Sequence, residues 1–171
     1  MEEIINKVAQ SSLISLDLED YYHKGERVVF DLKPYLYQEL ILKEKEFRAA
    51  LKATDFSQFT SKNVAVCCTA DAIVPTWAYM LLATYLAPYT NMVVFGDINV
   101  LEDALFRDAL QRIDYSQYEG AKVVVKGCSK HPVPISAYVE ITRRLQPIVS
   151  SLMFGEPCST VPLYKQKMAN K

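Results

Sequence analysis

The feature of this sequence that most constrains its fold is an internal repeat with a period of 59 residues. Residues 42–97 align with residues 101–156 without a gap, and 18 of the 56 aligned positions are identical. Unrelated segments of this length share only a few identities by chance. A repeat of this kind predicts two tandem copies of one structural unit.

The identical positions indicate what each copy contains. Pro75 and Pro134 stand where proline favours the first turn of a helix, and an Ala-Tyr pair follows each of them three residues later. Pro88 and Pro147 are expected to end these helices. A β-rich run then leads into a Phe-Gly pair in both copies. Each copy is therefore predicted to have the order helix, strand, helix, strand.

The predicted elements define the fold class. Strands are expected near residues 28–31, 63–67, 91–95, 122–126 and 150–154, and helices near 35–52, 76–88, 100–112 and 135–146. The central strands are short, continuous apolar runs, which is typical of strands covered on both faces. Their alternation with helices predicts an α/β fold, a layered and mostly parallel sheet with right-handed crossovers, built from the two tandem copies.

The length of 171 residues fits a single α/β domain, 1–171. It divides into an N-terminal arm (1–30), copy one (42–97), copy two (101–156) and a C-terminal tail (157–171). Apolar residues alternate in the arm, which favours an additional edge strand or a cover for one face: Leu13, Ile14, Leu16 and Leu18. The tail is predicted to form a short helix over 163–168.

Charge and composition exclude several classes of protein. The chain has 19 basic and 20 acidic residues, so no nucleic-acid or anionic-membrane partner is expected. Met1–Gln10 lacks the basic start of a secretory signal, which favours the cytoplasm. The apolar stretch Ala72–Tyr89 contains two prolines and predicts a buried helix rather than a membrane span. No glycine-rich phosphate-binding loop is present.

Ligands of parallel α/β sheets bind at the carboxyl ends of the strands. All four cysteines of the sequence fall in segments that follow predicted strands: Cys67, Cys68, Cys128 and Cys158. In a reducing compartment such cysteines are more often free thiols, metal ligands or core residues than disulfides. This end of the sheet is therefore the expected functional end.

A thiol-based metal site is the most specific hypothesis for this end. If the two strands of copy two are neighbours, Cys128, His131, Glu156 and Cys158 converge there, with Cys68 as a further candidate ligand. This donor set suits zinc or iron. In the alternative interpretation, Cys128 is a small apolar core residue and His131 is an exposed loop residue.

Cys158 has a separate argument for reactivity. Because the tail is predicted to be helical, its thiol is expected at a helix N-terminus, which lowers a thiol pKa. We therefore expect it to react fastest of the four with an alkylating reagent. The strand residue Cys67 is expected to react slowest.

The acidic residues that follow the strands, Asp71, Asp97 and Glu156, are expected to cap helices. A small-molecule enzyme that uses one of these carboxylates with Lys130 is a further, weaker hypothesis.

The helix that contains Trp77 is apolar on every side, whereas its counterpart in copy two carries Glu140, Arg143 and Arg144. Something must cover the additional apolar face. The N-terminal arm or a neighbouring helix is one expectation, and a homodimer through the Trp77 helix is the other. This leaves an alternative function, a non-catalytic dimeric interaction module.

The stretches DAIVPTWAYMLL and FGEPCSTVPLYK resemble the signature segments of an uncharacterised bacterial family of unknown function, along nearly the whole chain. Genes of that family often lie beside iron-sulfur cluster assembly (Suf) genes. The resemblance therefore implies iron-sulfur assembly proteins as partners, and it assigns no catalytic residue.

Overall fold

The computed structural model describes residues 13–127 and 129–167. The chain forms two compact units, and each contains its own sheet. We call residues 24–105 the inserted unit, because they interrupt the other unit in the sequence. The split unit consists of residues 1–23 and 106–171.

Four α-helices and nine strands form within the described residues. In chain order the strands are β1 (Leu13–Asp17), β2 (Arg27–Asp31), β3 (Leu36–Tyr37), β4 (Ile41–Leu42), β5 (Asn63–Cys67), β6 (Met92–Phe95), β7 (Lys122–Lys126), β8 (Ser151–Glu156) and β9 (Ser159–Lys165). The helices are α1 (Glu44–Ala53), α2 (Thr76–Leu86), α3 (Ile98–Gln111) and α4 (Ile135–Leu145).

Both main sheets are rich in parallel pairs. The inserted unit has the strand order β2-β5-β6, with all strands parallel. The split unit has the order β1-β7-β8-β9, in which only the β8–β9 pair is antiparallel. Strands β3 and β4 form a small antiparallel hairpin. The predicted mixed α/β class with mainly parallel strands is confirmed, although the strands are divided between two sheets.

Several elements recur at the 59-residue spacing. The bounds of β7 and α4 lie 59 residues after those of β5 and α2. The short 3-10 helices at Phe56–Phe59 and Tyr115–Tyr118 have the same spacing, and an aspartate caps each of them. The origin of this pattern by duplication, and the boundaries of arm, copies and tail, stay predictions.

Strands β1 and β2 occupy equivalent places in the two sheets, a relation that the sequence did not indicate. β1 pairs with β7 so that Leu13 lies opposite Lys122, and β2 pairs with β5 so that Arg27 lies opposite Asn63. Lys122 and Asn63 are 59 residues apart. β1 is thus the edge strand that the apolar alternation of the arm favoured.

Each unit has its own apolar core. In the split unit, α4 and the end of α3 pack on the sheet through fully buried side chains: Phe106, Leu110, Val123, Ile141, Leu145 and Leu152. In the inserted unit, α1 and α2 pack on the sheet in the same way: Phe47, Leu51, Val64, Ala78, Leu82 and Leu86. Most of these positions match one another in the 59-residue register, so the shared residues serve the core.

Two predicted helices are wrong. The predicted helix over 35–52 begins only at Glu44, because Gln38 and Glu39 adopt left-handed backbone angles in the turn of the β3–β4 hairpin. The predicted tail helix is the strand β9, which satisfies its backbone hydrogen bonds against β8. Met168 lies outside the described residues.

The additional apolar face of α2 is partly covered within the inserted unit. Trp77 is half-buried there, packs edge-on against Phe47 of α1 at a ring distance of 6.2 Å, and lies below the guanidinium of Arg48. The neighbouring helix α1 therefore covers part of this face, in agreement with the expectation of a neighbouring helix as the cover. None of the described helices is long and apolar enough to cross a membrane.

Candidate functional site

The carboxyl edge of the split unit's sheet is the candidate functional site. β7 and β8 are adjacent parallel strands, so the loops that follow them leave the same edge of the sheet. The predicted convergence of His131, Glu156 and Cys158 required that β7 and β8 be adjacent in the sheet. Residue 128, and with it Cys128, lies outside the described residues.

Lys126 connects the ends of three strands at this edge. Its ammonium lies 3.4 Å from a carboxylate oxygen of Asp17 and 3.7 Å from one of Glu156. The charge of Glu156, followed by the hydrogen bond to Asp17, raises the pKa of Lys126. Glu156 is therefore engaged by a lysine of its own sheet.

Glu19 holds the loop that follows β7. Its carboxylate accepts hydrogen bonds from the backbone N–H and hydroxyl of Ser129 and from the backbone N–H of Lys130, the last at 2.9 Å. Burial tends to raise the pKa of Glu19, but these hydrogen bonds together lower it. The ring of the next residue in this loop, His131, stacks on Tyr22 with centroids 4.2 Å apart. The loop is thus held by two residues from the segment after β1.

Cys158 lies in the tight turn between β8 and β9. The turn contains Pro157 and Cys158, because Glu156 pairs with Ser159, and the thiol is exposed. The predicted position at a helix N-terminus is wrong, since no helix follows Cys158 among the described residues of the tail. The expected activation of Cys158 by a following helix therefore has no structural basis.

An apolar pocket of about 370 Å³ lies beside the end of β7, between α4 and the β8–β9 hairpin. Its described lining contains no charged side chain: Val125, Gly127, Ile135, Tyr138, Thr142, Phe154 and Leu163. Three large apolar side chains of this lining are nevertheless exposed: Phe154 by 42%, Leu163 by 52% and Ile135 by 76%. Large apolar side chains that stay exposed around a concave site are typical of a binding surface.

Gly127 lets an aromatic side chain come close to the pocket floor. A Cβ atom at Gly127 would lie 2.8 Å from the hydroxyl oxygen of Tyr138, so a larger residue would displace this tyrosine. The Tyr138 ring packs edge-on against Phe154, with centroids 5.8 Å apart. The hydroxyl of Thr142 donates to the Tyr138 carbonyl at 2.7 Å. The pocket thus combines an aromatic wall with two hydroxyl groups.

The carboxyl edge of the inserted unit has a different chemistry. Asp31 accepts hydrogen bonds from the backbone N–H and hydroxyl of Thr69, which fixes the loop after β5. Burial, followed by the charge of Asp31, raises the pKa of the Cys67 thiol. Cys68 is half-buried, with its sulfur 3.8 Å from the carbonyl oxygen of Ala70. The order of thiol reactivities stays a prediction, and the raised pKa of Cys67 agrees with its expected last place.

No group of three or more histidine, cysteine or acidic side chains comes together as a metal site among residues 13–127 and 129–167. Cys68 belongs to the inserted unit, whereas His131, Glu156 and Cys158 belong to the split unit. Because Cys128 is not described, the predicted metal site stays a prediction.

The three expected capping residues behave differently. Asp97 accepts a hydrogen bond from the backbone N–H of Val100 at 3.0 Å, so its predicted role at the start of α3 is confirmed. Asp71 does not cap α2, because the N-cap position of this helix is Pro75 and no described side chain donates or accepts a capping hydrogen bond there. Glu156 ends a strand that continues into a turn, so its expected role as a helix cap is wrong.

The residues around the pocket were missed by the sequence analysis. Tyr138 and Phe154 are identical to Tyr79 and Phe95 in the repeat, and they were therefore assigned to the fold. A usable signal was the apolar stripe of the α4 sequence, in which Ile135, Tyr138 and Val139 share one helical face outside the core positions.

These features define a class of protein, a two-unit α/β protein with parallel sheets and a candidate binding pocket at one carboxyl edge. The chain belongs to the family described as Protein of unknown function (DUF2480), whose model matches residues 2–166. The resemblance to an uncharacterised family is thereby confirmed, and its link to iron-sulfur assembly genes stays a prediction. No curated protein and no solved structure matches the chain.

Proposed function

We propose that this protein binds a small, uncharged and mainly apolar molecule in the pocket of the split unit. The observation that carries the proposal is the apolar lining of a pocket of about 370 Å³ at the carboxyl edge of a parallel sheet. This volume falls within the range of about 300 to 1,000 Å³ that is usual for small-molecule sites. A charged ligand is disfavoured, because the described lining offers no charge to compensate its desolvation.

Two hydroxyl groups line the pocket, and that of Thr142, whose proton is donated to the Tyr138 carbonyl, can accept a hydrogen bond from a ligand. Tyr138 and Thr142 lie one helical turn apart on α4, so both reach the same side of the pocket. The ring of Phe154, which packs against Tyr138, provides an apolar contact. The ligand class that fits best is therefore a compact ring system with one or two hydrogen-bonding atoms.

The test uses the neutral, apolar fluorescent probe N-phenyl-1-naphthylamine. We expect saturable binding to the full chain and a loss of about 10-fold in affinity for Phe154→Ala, which removes roughly 1.4 kcal/mol of apolar contact. Fluorescence titration measures the dissociation constant.

The matched control is Phe95→Ala. Phe95 holds the equivalent position 59 residues earlier, packs edge-on against Tyr79 as Phe154 does against Tyr138, and is 69% exposed. Its replacement should leave the titration unchanged. Equal losses for the two variants, or no saturable binding to the unmodified chain, would refute the proposal.

A second candidate function is the thiol-based binding of zinc or iron by Cys128, His131, Cys158 and Glu156. The adjacency of β7 and β8 favours it, because both ligand-bearing loops leave one edge. Glu156 and Cys158 also flank the same turn. The ionic contact of Glu156 with Lys126 argues for the three other residues as the principal ligands. Iron-sulfur assembly proteins are the partners that we propose for such a site.

Anaerobic purification followed by elemental analysis tests this candidate. About one zinc or iron per chain is expected, with loss of the metal in Cys128→Ser and Cys158→Ser. Cys68→Ser should retain it, since Cys68 belongs to the inserted unit. A metal-free chain under every condition, or equal loss in all three variants, would contradict it.

A homodimer through α2 and a cytoplasmic location remain proposals with little support. Trp77 already packs within its own unit, and Met80 is the large apolar residue that α2 leaves exposed. A non-catalytic interaction module is therefore the weaker alternative. Enzymatic use of Asp97 or Glu156 is disfavoured by their hydrogen-bond and ionic contacts.

A further inference from the structure

A second cavity, of about 330 Å³, lies in the inserted unit between the β3–β4 hairpin and α1. Three of its lining residues are aromatic: Tyr35, Tyr37 and Phe47. The carboxylate of Glu46 provides the single charge among the described lining residues. Aromatic faces beside a carboxylate are the groups that attract organic cations.

The cavity rim already holds an ammonium group. The Nζ atom of Lys43 lies 3.6 Å from the centroid of the Tyr37 ring and 3.2 Å from a carboxylate oxygen of Glu46. Both groups that hold Lys43 also line the cavity. The chain therefore demonstrates, with its own side chain, that the Tyr37 face and the Glu46 carboxylate accommodate a cation together.

The aromatic walls are fixed by packing below the cavity. Tyr35 contacts Phe47 edge-on, with centroids 5.7 Å apart, and stacks on Phe30 at 5.6 Å. Phe47 is fully buried. The floor and one wall of the cavity are thus rigid, and Tyr37 on the hairpin forms the exposed wall.

The hairpin that carries Tyr37 is held in a strained conformation. Gln38 and Glu39 have φ values of 50° and 56°, angles that glycine or asparagine adopts more easily. Each such residue costs about 1 to 2 kcal/mol. Strain of this kind concentrates at functional sites, where the geometry it produces is needed. Here the turn places Tyr37 beside the cavity and opposite Glu46.

We propose that this cavity binds a small quaternary alkylammonium molecule, in competition with the ammonium of Lys43. The cation of the ligand lies between the ring of Tyr37 and the carboxylate of Glu46, and its alkyl part contacts Tyr35, whose ring is held in place by the buried Phe47. This site is separate from the pocket of the split unit, and it needs neither the apolar ligand nor a metal.

Choline is the probe for the first experiment, and isothermal titration calorimetry with the full chain measures its affinity. Lys43→Ala removes the internal competitor and is expected to strengthen choline binding about 3-fold to 10-fold. Lys45→Ala, which replaces an exposed lysine in the first turn of α1, is the control and should leave the affinity unchanged. Equal affinities for all three proteins, or no choline binding to Lys43→Ala, would overturn the proposal.

The neutral molecule 3,3-dimethyl-1-butanol, which has the shape of choline without its charge, separates a cation site from an apolar cavity. It should bind at least 5-fold more weakly than choline. Tyr37→Phe retains the ring and should retain binding, while Glu46→Gln should weaken choline but not the alcohol. If the alcohol binds as tightly as choline, no cation site is present.

A lysine peptide tests the source of the ammonium group. The peptide Ac-Ala-Lys(trimethyl)-Ala-NH2 carries the same quaternary group on a protein side chain. The proposal expects it to bind no more tightly than choline. Binding that is 10-fold tighter would replace the small molecule with a protein partner and overturn that assignment.

Discussion

Replacing Gly155 with alanine is expected to lower the free energy of unfolding by about 3 kcal/mol, because backbone strain and overpacking add. Gly155 has a φ of 119°, and a Cβ atom there would lie 2.7 Å from the carbonyl oxygen of Ser159. That oxygen belongs to the paired strand and cannot move without disturbing the β8–β9 hairpin. Urea unfolding followed by circular dichroism measures the loss.

Gly120→Ala is the matched control for this substitution. Gly120 also has a positive φ, of 67°, but among the described residues beyond its two chain neighbours no atom lies within 4 Å of a Cβ built there. This variant therefore carries only the left-handed strain, about 1 kcal/mol. Equal losses at the two glycines would mean that the contact with Ser159 has no energetic consequence.

Phe106→Ala is expected to cost about 3 to 5 kcal/mol, the usual loss for a fully buried phenylalanine. Phe106 is 1% exposed in the core of the split unit. Phe47 occupies the matching position of the repeat and is equally buried in the inserted unit, so Phe47→Ala should cost a similar amount. The same urea titrations give both values.

The exposed Phe95 provides the comparison, since Phe95→Ala should change stability by no more than about 0.5 kcal/mol. If Phe106→Ala were as mild as Phe95→Ala, the buried identical pair Phe47 and Phe106 would not stabilise the cores. That result would remove the physical interpretation of the 59-residue register.

The central elements of both units were predictable because identical apolar residues face the cores. Val64 and Val123 are fully buried, and Ala78 and Ala137 pack against the sheets. Burial favours apolar residues at the same positions of both copies, so the register located β5, β7 and the starts of α2 and α4 correctly. In these elements the hydrophobic pattern therefore corresponds directly to the buried positions.

The hairpin and the tail were not predictable from local patterns. Leu36 and Leu40 have the spacing of a helix, but the chain reverses direction between them at Gln38 and Glu39. Neither residue is a glycine or an asparagine, so the sequence did not indicate a turn there. The tail was predicted to form a short helix over 163–168. Its strand conformation instead depends on pairing with β8, which is a tertiary interaction.

The candidate pocket was also not predictable from the sequence, because it too depends on tertiary interactions. Its residues come from β7, α4, β8 and β9, and the contribution of Leu163 depends on β9 being a strand. The metal hypothesis depended instead on strand order, which the sequence left open and which proves to be favourable at β7 and β8. Local patterns identify elements, whereas sites require the arrangement of those elements.

The position of β1 has a consequence for how the chain folds as it leaves the ribosome. The partner of Leu13 is Lys122, which is synthesised 109 residues later (122 minus 13), whereas Arg27 meets its partner Asn63 after only 36 residues (63 minus 27). The inserted unit can therefore complete its sheet first, while β1 remains without its partner β7 during the entire synthesis of the inserted unit. β1 is consequently a segment of the nascent protein that requires protection against pairing with another chain.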